Sequence, residues 1–376
     1  MASTNEKVIS SYIPDEISYS ILSKLPLKSL KRFECVQKSW SLLFENQHFM
    51  NIRNNFLSYN DPSSLILRVF KNRDELFYSF SGERFENKVK LDWSNSCENY
   101  IFGSRSINGT FCLHGSVHDS HIVLWTPATQ TRKLLPHSVA ESFFIPDEAD
   151  VSFLYHVQGF GYDRVINDYK VIRYVAISVD SYPEDQDQLE DLYCDHLWEI
   201  YSLTSNSWRK LHVDNDMPYT VQCYGDTQVY MDGMCHWLCE NEQCLVSFYF
   251  SNEEFFITPI PSDVDDWFNL AVLNESIALI SYHTKTTTLH ISILGEFGMK
   301  ESWTKLFTVG PLPCVESPII VGTKGEIVFI RKDEELVWLD LNTQMIRELG
   351  YKQEPYTRLW VIIYKDGILP IEGVSN

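Results

Sequence analysis

From Leu76 onward, a strand–turn–strand unit returns at nearly even spacing. LFYSFSGERFENKVKL begins at Leu76, IVLWTPATQTRKLL at Ile122 and WEIYSLTSNSWRKL at Trp198. LVSFYFSNEEFFITPI follows at Leu245, LHISILGEFGMKESWTKL at Leu289 and LVWLDLNTQMIREL at Leu336. The intervals between starts are 46, 76, 47, 44 and 47 residues. Short aromatic and β-branched runs repeating near every 45 residues have the period of a four-stranded propeller blade.

The remaining strands of each unit are announced by turns. Asn108-Gly109 precedes TFCLHG, Asp232-Gly233 precedes MCHWLC, Asn274-Glu275 precedes SIALISYH and Lys324-Gly325 precedes EIVFIRK. Asn-Gly and Asp-Gly favour type I′ hairpins, which need positive φ at both central residues. A further short strand, such as NLAVL or SPIIVG, comes before each turn and brings the unit to four. The first unit has only LILRVF, LFYSF and VKLDW, whereas TRLWVIIY near the C-terminus has no unit of its own. Pairing Leu65–Phe70 with residues 357–364 would close a ring and cover both open edges. Six blades follow. The one long interval places its extra residues in two polar stretches, His137–Tyr155 and Asp180–Asp195.

The N-terminal region has a different period. Ile13-Pro14 opens a helix, with Asp15 and Glu16 where the helix dipole favours carboxylates. Ile17, Ile21 and Leu25 recur at four-residue spacing beside Leu22, and Pro26 stops the run. Leu27, Leu30 and Phe33 mark a second short helix, and Val36, Trp40, Leu43 and Phe44 a third. Three short helices cannot bury all of these side chains among themselves, so part of the surface should face a partner.

The order IPDE, SILSKLPLKSLKRFECVQKSW, HF closely resembles the F-box of plant F-box proteins. Ile13 stands where that family usually has Leu, which conserves apolar volume. The run SINGTFCL, IVLWTPATQTRKLLP, GFGYDRVINDYKVIRY, GMCHWLC and ESWTKLF resembles the F-box-associated domain of the same proteins. Thr126-Pro127-Ala128-Thr129 replaces their usual N-P-A-T. The first resemblance implies docking onto the Skp-type adaptor, and through it cullin, of an SCF ubiquitin ligase. Ile13, Pro14, Ile17, Ile21, Leu25, Pro26, Leu30, Val36 and Trp40 match the docking positions. The second implies a kelch-like, target-binding domain for a protein whose identity the resemblance does not specify. The expected organisation is a mainly β chain: a tail over 1–9, a three-helix F-box over 10–52, and a propeller over 60–372 that packs on the F-box through residues 51–59.

Charge divides at the same boundary. Residues 1–55 hold seven Lys/Arg against five Asp/Glu, a net of +2, leaving 24 against 46, a net of −22, for the rest. Such an acidic domain disfavours nucleic acid and suits a basic protein surface. No apolar run is long enough for a membrane span, and residues 1–11 lack the apolar core of a signal peptide. Nine cysteines, an odd number and widely scattered, read as free thiols. The protein is therefore expected in the cytoplasm, the nucleus or both.

Reactive chemistry is sparse. Cys235, His236, Cys239 and Cys244 are the best metal candidates, but no second knuckle follows, and on a strand His236 would point away from Cys235 and Cys239. Gly159-Phe160-Gly161 is not a dinucleotide loop, and no G-x-S-x-G elbow occurs. Neither catalytic residues nor a metal or cofactor is implied. Trp208, Trp303, Trp338 and Tyr201 recur at blade positions and are expected in the core. Candidate target contacts lie in the two polar stretches: Phe143 and Phe144 in one, and Glu184, Asp185, Asp187, Glu190 and Asp191 in the other. Two other readings remain open, a propeller enzyme with a fused helical segment and an F-box scaffold acting outside a ligase.

Overall fold

A computed structural model describes residues 13–371 apart from 26, 34, 37, 41, 44–45, 47, 50–51, 54–63, 72–73, 83–84, 92–99, 143–149, 182–194, 214–216, 218–227, 240–242, 262–266, 274, 313–314, 322–325, 342, 356, 366 and 368–370. α1 (Asp15–Leu22) starts after Pro14, whose carbonyl accepts from the Ile17 and Ser18 N–H groups at 3.1 and 3.0 Å. Leu22 turns inward to meet Leu30 of α2 (Leu27–Phe33), Leu43 and Phe49 in a small core. Phe33 and Trp40 pack on it edge to face at 5.8 Å. Arg53 is buried beneath, and its Nη1 donates to the Ser23 and Leu25 carbonyls at 2.9 and 2.8 Å. That supplies donors to carbonyls a helix end leaves open. Where the periodicity predicts a third helix over Val36–Phe44, the described residues hold a 3-10 turn, Lys38–Trp40. Val36, Ser39, Trp40 and Ser41 are indifferent helix formers, and so short a segment does not nucleate an α-helix unaided.

Twenty-four strands follow among the described residues. β1 (Ser64–Lys71), β2 (Asp74–Ser81) and β3 (Asn87–Leu91) come first, then β4 (Tyr100–Ile107), β5 (Thr110–His114), β6 (Ile122–Thr126) and β7 (Thr131–Leu134). β8 (Asp150–Asp163), β9 (Asp168–Ser181), β10 (Asp195–Ser202) and β11 (Ser207–Leu211) make one sheet. β12 (Val229–Met231), β13 (Met234–Cys239), β14 (Cys244–Tyr249) and β15 (Glu254–Pro259) make the next. β16 (Trp267–Leu273), β17 (Ser276–His283), β18 (Thr288–Leu294) and β19 (Trp303–Val309) precede β20 (Val315–Val321), β21 (Glu326–Arg331), β22 (Glu335–Asp340) and β23 (Ile346–Lys352). β24 (Arg358–Tyr364) joins the first two groups into an eight-stranded sheet of order β3-β2-β1-β24-β4-β5-β6-β7. The recurring units of the sequence fall on β2, β6, β10, β14, β18 and β22.

The inner strands touch in a closed cycle: β24 on β4, β4 on β8 and β12, β8 on β13, β12 on β16, β16 on β20, and β20 on β24. β24 runs antiparallel to β1, with Leu65 opposite Ile363 and Phe70 opposite Arg358, the pairing the sequence predicts. Its other edge meets β4 in the parallel sense at Ile363 and Arg105. The expected turns are also present, with φ of 48° and 77° at Asn108 and Gly109 and of 49° and 84° at Asp232 and Gly233.

Because neighbouring strands alternate in direction, the ring has two distinct faces. The turns that leave the inner strands, and those between third and fourth strands, lie on one of them, the turn face. Arg164 in the β8–β9 turn pairs there with Asp232 in the β12–β13 turn at 2.9 Å. The opposite ends of the strands lie on the other, connection face. β8 and β9 have 14 residues each. The polar stretch expected over His137–Tyr155 is thus partly strand from Asp150 onward, because VSFLYHV finds a matching β-prone partner in VIRYVAISV.

Val361, Ile362 and Ile363 of β24 are buried. At ~1.5–3 kcal/mol each, their loss alone approaches the ~5–15 kcal/mol that holds a typical domain. Truncation after Thr357 should therefore abolish the cooperative melting transition of the whole propeller. A transition near the full-length midpoint would show that the ring closes without β24.

Candidate functional site

Two surfaces and a packed interior have to be distinguished. On the helical module, Ile17 and Ile21 are 51% and 55% exposed one turn apart on one side of α1, and Ile13, two residues before the helix starts, is 58% exposed. Val36 and Leu42 are exposed as well, as is Pro14. α1 has one wall for the core, Ser18 and Leu22, and a second, apolar wall for something else. Leu25 and Trp40 are half-buried and bridge the two. Leu30 differs from the sequence expectation: it is fully buried, because α2 turns it toward Leu22 and Phe49, and it supports the surface from beneath. Pro26 lies outside the described residues. Leu42 was missed, although its place beside Leu43 in an apolar run was a usable signal.

The module meets the propeller at a defined point. Ala128, in the β6–β7 turn of Thr126-Pro127-Ala128-Thr129, packs on the helical core. That turn belongs to the turn face. Most of residues 51–59, the expected contact segment, lie outside the described residues.

The interior accounts for the suspected chemical motifs. Cys235, Cys239 and Cys244 sit in an apolar cluster with Trp237 and Phe248. His236 points to the other side of β13, where Nδ1 meets Ser247 Oγ at 2.8 Å and the ring stacks on Phe297 at 5.5 Å. Among the described residues no group of three or more His, Cys, Asp or Glu is placed to hold a metal ion. Gly159 and Gly161 belong to β8. A Cβ on Gly159 would lie 2.5 Å from Cys235 Sγ, and one on Gly161 would lie 2.0 Å from the Phe250 ring. Their role is close packing of neighbouring sheets.

Other motifs stitch sheet to sheet. Trp208 Nε1 donates to the Pro136 carbonyl at 2.9 Å, and Trp303 Nε1 donates to the Pro259 carbonyl at 3.1 Å. Both indoles reach from a fourth strand to the end of the preceding sheet. Trp208, Trp338 and Tyr201 are buried as expected, whereas Trp303 is half-buried. Arg173 and Glu199, both fully buried, form an ion pair that the sequence did not signal. Glu199 also accepts from Ser138 Oγ at 2.9 and 3.0 Å, and the Arg173 guanidinium lies 4.1 Å from the Trp208 ring centroid. Arg173 Nη1 also donates to the Ser120 carbonyl at 2.7 Å, while its buried Nη2 has no hydrogen-bond partner among the described residues. The candidate target contacts Phe143, Phe144, Glu184, Asp185, Asp187, Glu190 and Asp191 all lie outside the described residues.

The architecture is a small helical module carried on the turn face of a β-propeller. A family profile described as "F-box associated beta propeller domain" matches residues 78–368. F-box protein CPR1 of Arabidopsis thaliana is 25% identical over 401 residues, covering 97% of this chain and 90% of that protein. F-box/kelch-repeat protein At4g19930 of the same plant is 23% identical, covering 95% of this chain and 89% of that protein. F-box only protein 8, also of Arabidopsis thaliana, is 26% identical, covering 69% and 83%. The chain belongs to the F-box-associated β-propeller family and is a plant F-box protein with an associated C-terminal domain. Among the described residues no helix is long and apolar enough to cross a membrane.

The buried histidines make stability depend on pH. Burial pulls His236 down to about 3 and His114 to about 4. Unfolded, both titrate near ~6.5. Between pH ~6.5 and 4 the unfolded chain takes up protons that the folded chain refuses, so stability falls as pH drops. The urea midpoint should decline from pH 7 to pH 4.5, and less steeply in His236→Gln. Parallel declines in the two proteins would contradict this assignment.

Proposed function

We propose that this chain is the substrate-recognition subunit of an SCF-type ubiquitin ligase. The F-box, over about residues 10–52, holds a Skp-type adaptor and through it cullin. The propeller, over about residues 60–372, holds a protein target. The observation that carries this reading is the exposed apolar surface made by Ile17 and Ile21 on α1 and by Ile13 just ahead of it. An apolar stripe left outside a module too small to cover it is a docking surface of the helix-packing kind. Pro14, Leu25, Pro26, Val36 and Trp40 complete it, with Leu30 as its support.

Counting β24 with β1, β2 and β3 divides the twenty-four strands into six blades. A closed ring of that kind is a rigid platform, which is what transfer by proximity requires: the target's lysines are held near a charged enzyme carried by other subunits. The propeller needs no reactive group for that task. The net charge of −22 over residues 56–376 suits a basic target surface, with Phe143, Phe144 and the acidic residues Glu184, Asp185, Asp187, Glu190 and Asp191 as contacts. The complex would act in the cytoplasm or nucleus.

The adaptor interface is tested by Ile17→Asp combined with Ile21→Asp. Both side chains are exposed, so the module should still fold. Burying two carboxylates in an apolar interface should weaken adaptor binding at least about 100-fold, at ~2 kcal/mol or more per hot-spot residue. Co-purified adaptor on an affinity column reads the result. Undiminished capture of the adaptor by the double variant would remove the main support for this function.

A further inference from the structure

The buried Arg173–Glu199 ion pair anchors two surface segments, and each of them carries an exposed histidine. The first segment is the β5–β6 connection, residues 115–121, on the connection face. Arg173 Nη1 donates to its Ser120 carbonyl at 2.7 Å. The second segment follows β7, where Glu199 accepts from Ser138 Oγ at 3.0 Å and from the Val139 N–H at 3.2 Å. His121 comes directly after Ser120, and His137 directly before Ser138. The Leu135 N–H donates to the Ile122 carbonyl at 2.9 Å and keeps the two segments side by side. Both histidines are exposed, and their ring centroids lie 6.0 Å apart with the planes at 68°. A buried ion pair adds little net stability. What this one secures is the spacing of two imidazoles that flank the β6–β7 hairpin.

His121 is also oriented. Asp119 Oδ1 accepts from the His121 backbone N–H at 2.9 Å and lies 2.5 Å from the ring Nδ1. An ionised carboxylate only accepts, so in the neutral ring Nδ1 carries the proton and Nε2 the lone pair. The carboxylate is itself confined. Asp119 N donates to the Ser116 carbonyl at 2.9 Å, closing a turn, and a Cβ on Gly115 would overlap Asp119 Oδ2. Glycine at 115 therefore leaves the room that the carboxylate occupies. A loop cap needs only the backbone bond. The bond to the ring and the second imidazole nearby are additional, and a carboxylate on the far nitrogen is the usual way to fix a metal-ligating histidine.

Zn–N bonds of ~2.0–2.1 Å at a tetrahedral angle set two imidazole centres roughly 5 Å apart. A small rotation of the exposed His137 side chain closes the difference. We propose that His121 and His137 bind one divalent transition-metal ion of the zinc class, with Asp119 as the positioning residue. Imidazole ligands select Zn²⁺, Cu²⁺ or Ni²⁺ over Mg²⁺ and Ca²⁺, which take oxygen. No group of three side-chain ligands is present among the described residues, so Asp119 acts through His121 and water fills the other positions on the ion. The net charge of −20 draws cations to such a surface.

The test is calorimetric titration with Zn²⁺ of the full chain, produced without a polyhistidine tag and stripped with EDTA. A double variant, His121→Gln with His137→Gln, gives the background from thiols and other histidines. The natural chain should bind one more equivalent of zinc than this variant, and Mg²⁺ should show no such difference. Asp119→Ala should weaken that equivalent about 10–100-fold. Asp119→Asn keeps an acceptor for Nδ1–H and should recover part of the loss. Gly115→Ala, which crowds the carboxylate and leaves both histidines in place, should weaken it as well. Metal-free melting curves check that each variant folds, and the exposed histidine variants decide the question should Asp119→Ala not fold. Equal zinc stoichiometry and affinity in the natural chain and the double variant would overturn the proposal. So would a natural chain that binds no zinc. Natural affinity in a folded Asp119→Ala variant would overturn the role given to Asp119.

Discussion

The propeller depends on β24 lying between β1 and β4. A ring assembled only from sheets consecutive in the chain would be joined at its seam by side-chain packing alone. Here a strand from the far end of the sequence supplies the backbone pairing that β1 lacks. The seam is covalently continuous with both ends of the domain, so opening it disrupts two sheets at once. Gly109 sharpens this constraint: a Cβ there would lie 2.4 Å from the Gly367 nitrogen, so the segment after β24 closes over the β4–β5 turn only because both residues are glycine.

Around the rest of the ring, neighbouring sheets are held by contacts that a small surface change cannot replace. Ser104 N donates to the Gln228 carbonyl at 3.1 Å, and Tyr230 Oη donates to the Tyr162 carbonyl. Lys170 Nζ donates to Asp163 at 2.9 Å and to the Phe250 carbonyl at 2.8 Å, bridging one sheet to the next. Buried charges of this kind contribute little net stability, but removing one partner leaves the other uncompensated. They specify how the sheets sit against one another, while the apolar clusters between sheets supply the driving force. The outcome is a platform whose two faces keep a constant relation.

That relation is the functional content of the fold. Ala128 places the helical module on the turn face. Under the proposed function, a target held by the ring would keep a fixed relation to an adaptor held at α1. The distance between them would be set by the rigid ring rather than by a flexible linker, which favours a defined reach over a broad search.

Much of this was legible in the chain. The 45-residue recurrence, the Asn-Gly and Asp-Gly turns, and the surplus apolar strand at residues 358–364 are local patterns, so they specify strands, hairpins and the need for closure without reference to distant residues. The F-box order of IPDE, LPLKSL and VQKSW likewise marked the helical module. The sequence could not show that α1 presents Ile17 and Ile21 outward while Leu30 goes inward, since both are apolar at helical spacing and only neighbouring helices decide which wall is covered. Nor could it show that Asp150–Tyr155 is strand rather than loop, because that depends on pairing with Val175–Ser181. The Arg173–Glu199 pair and the sheet-packing role of Gly159 and Gly161 were equally hidden. Local periodicity determined most of the strands and the first two helices. Contacts between residues far apart in the chain decided which of their surfaces were buried and which were left for partners.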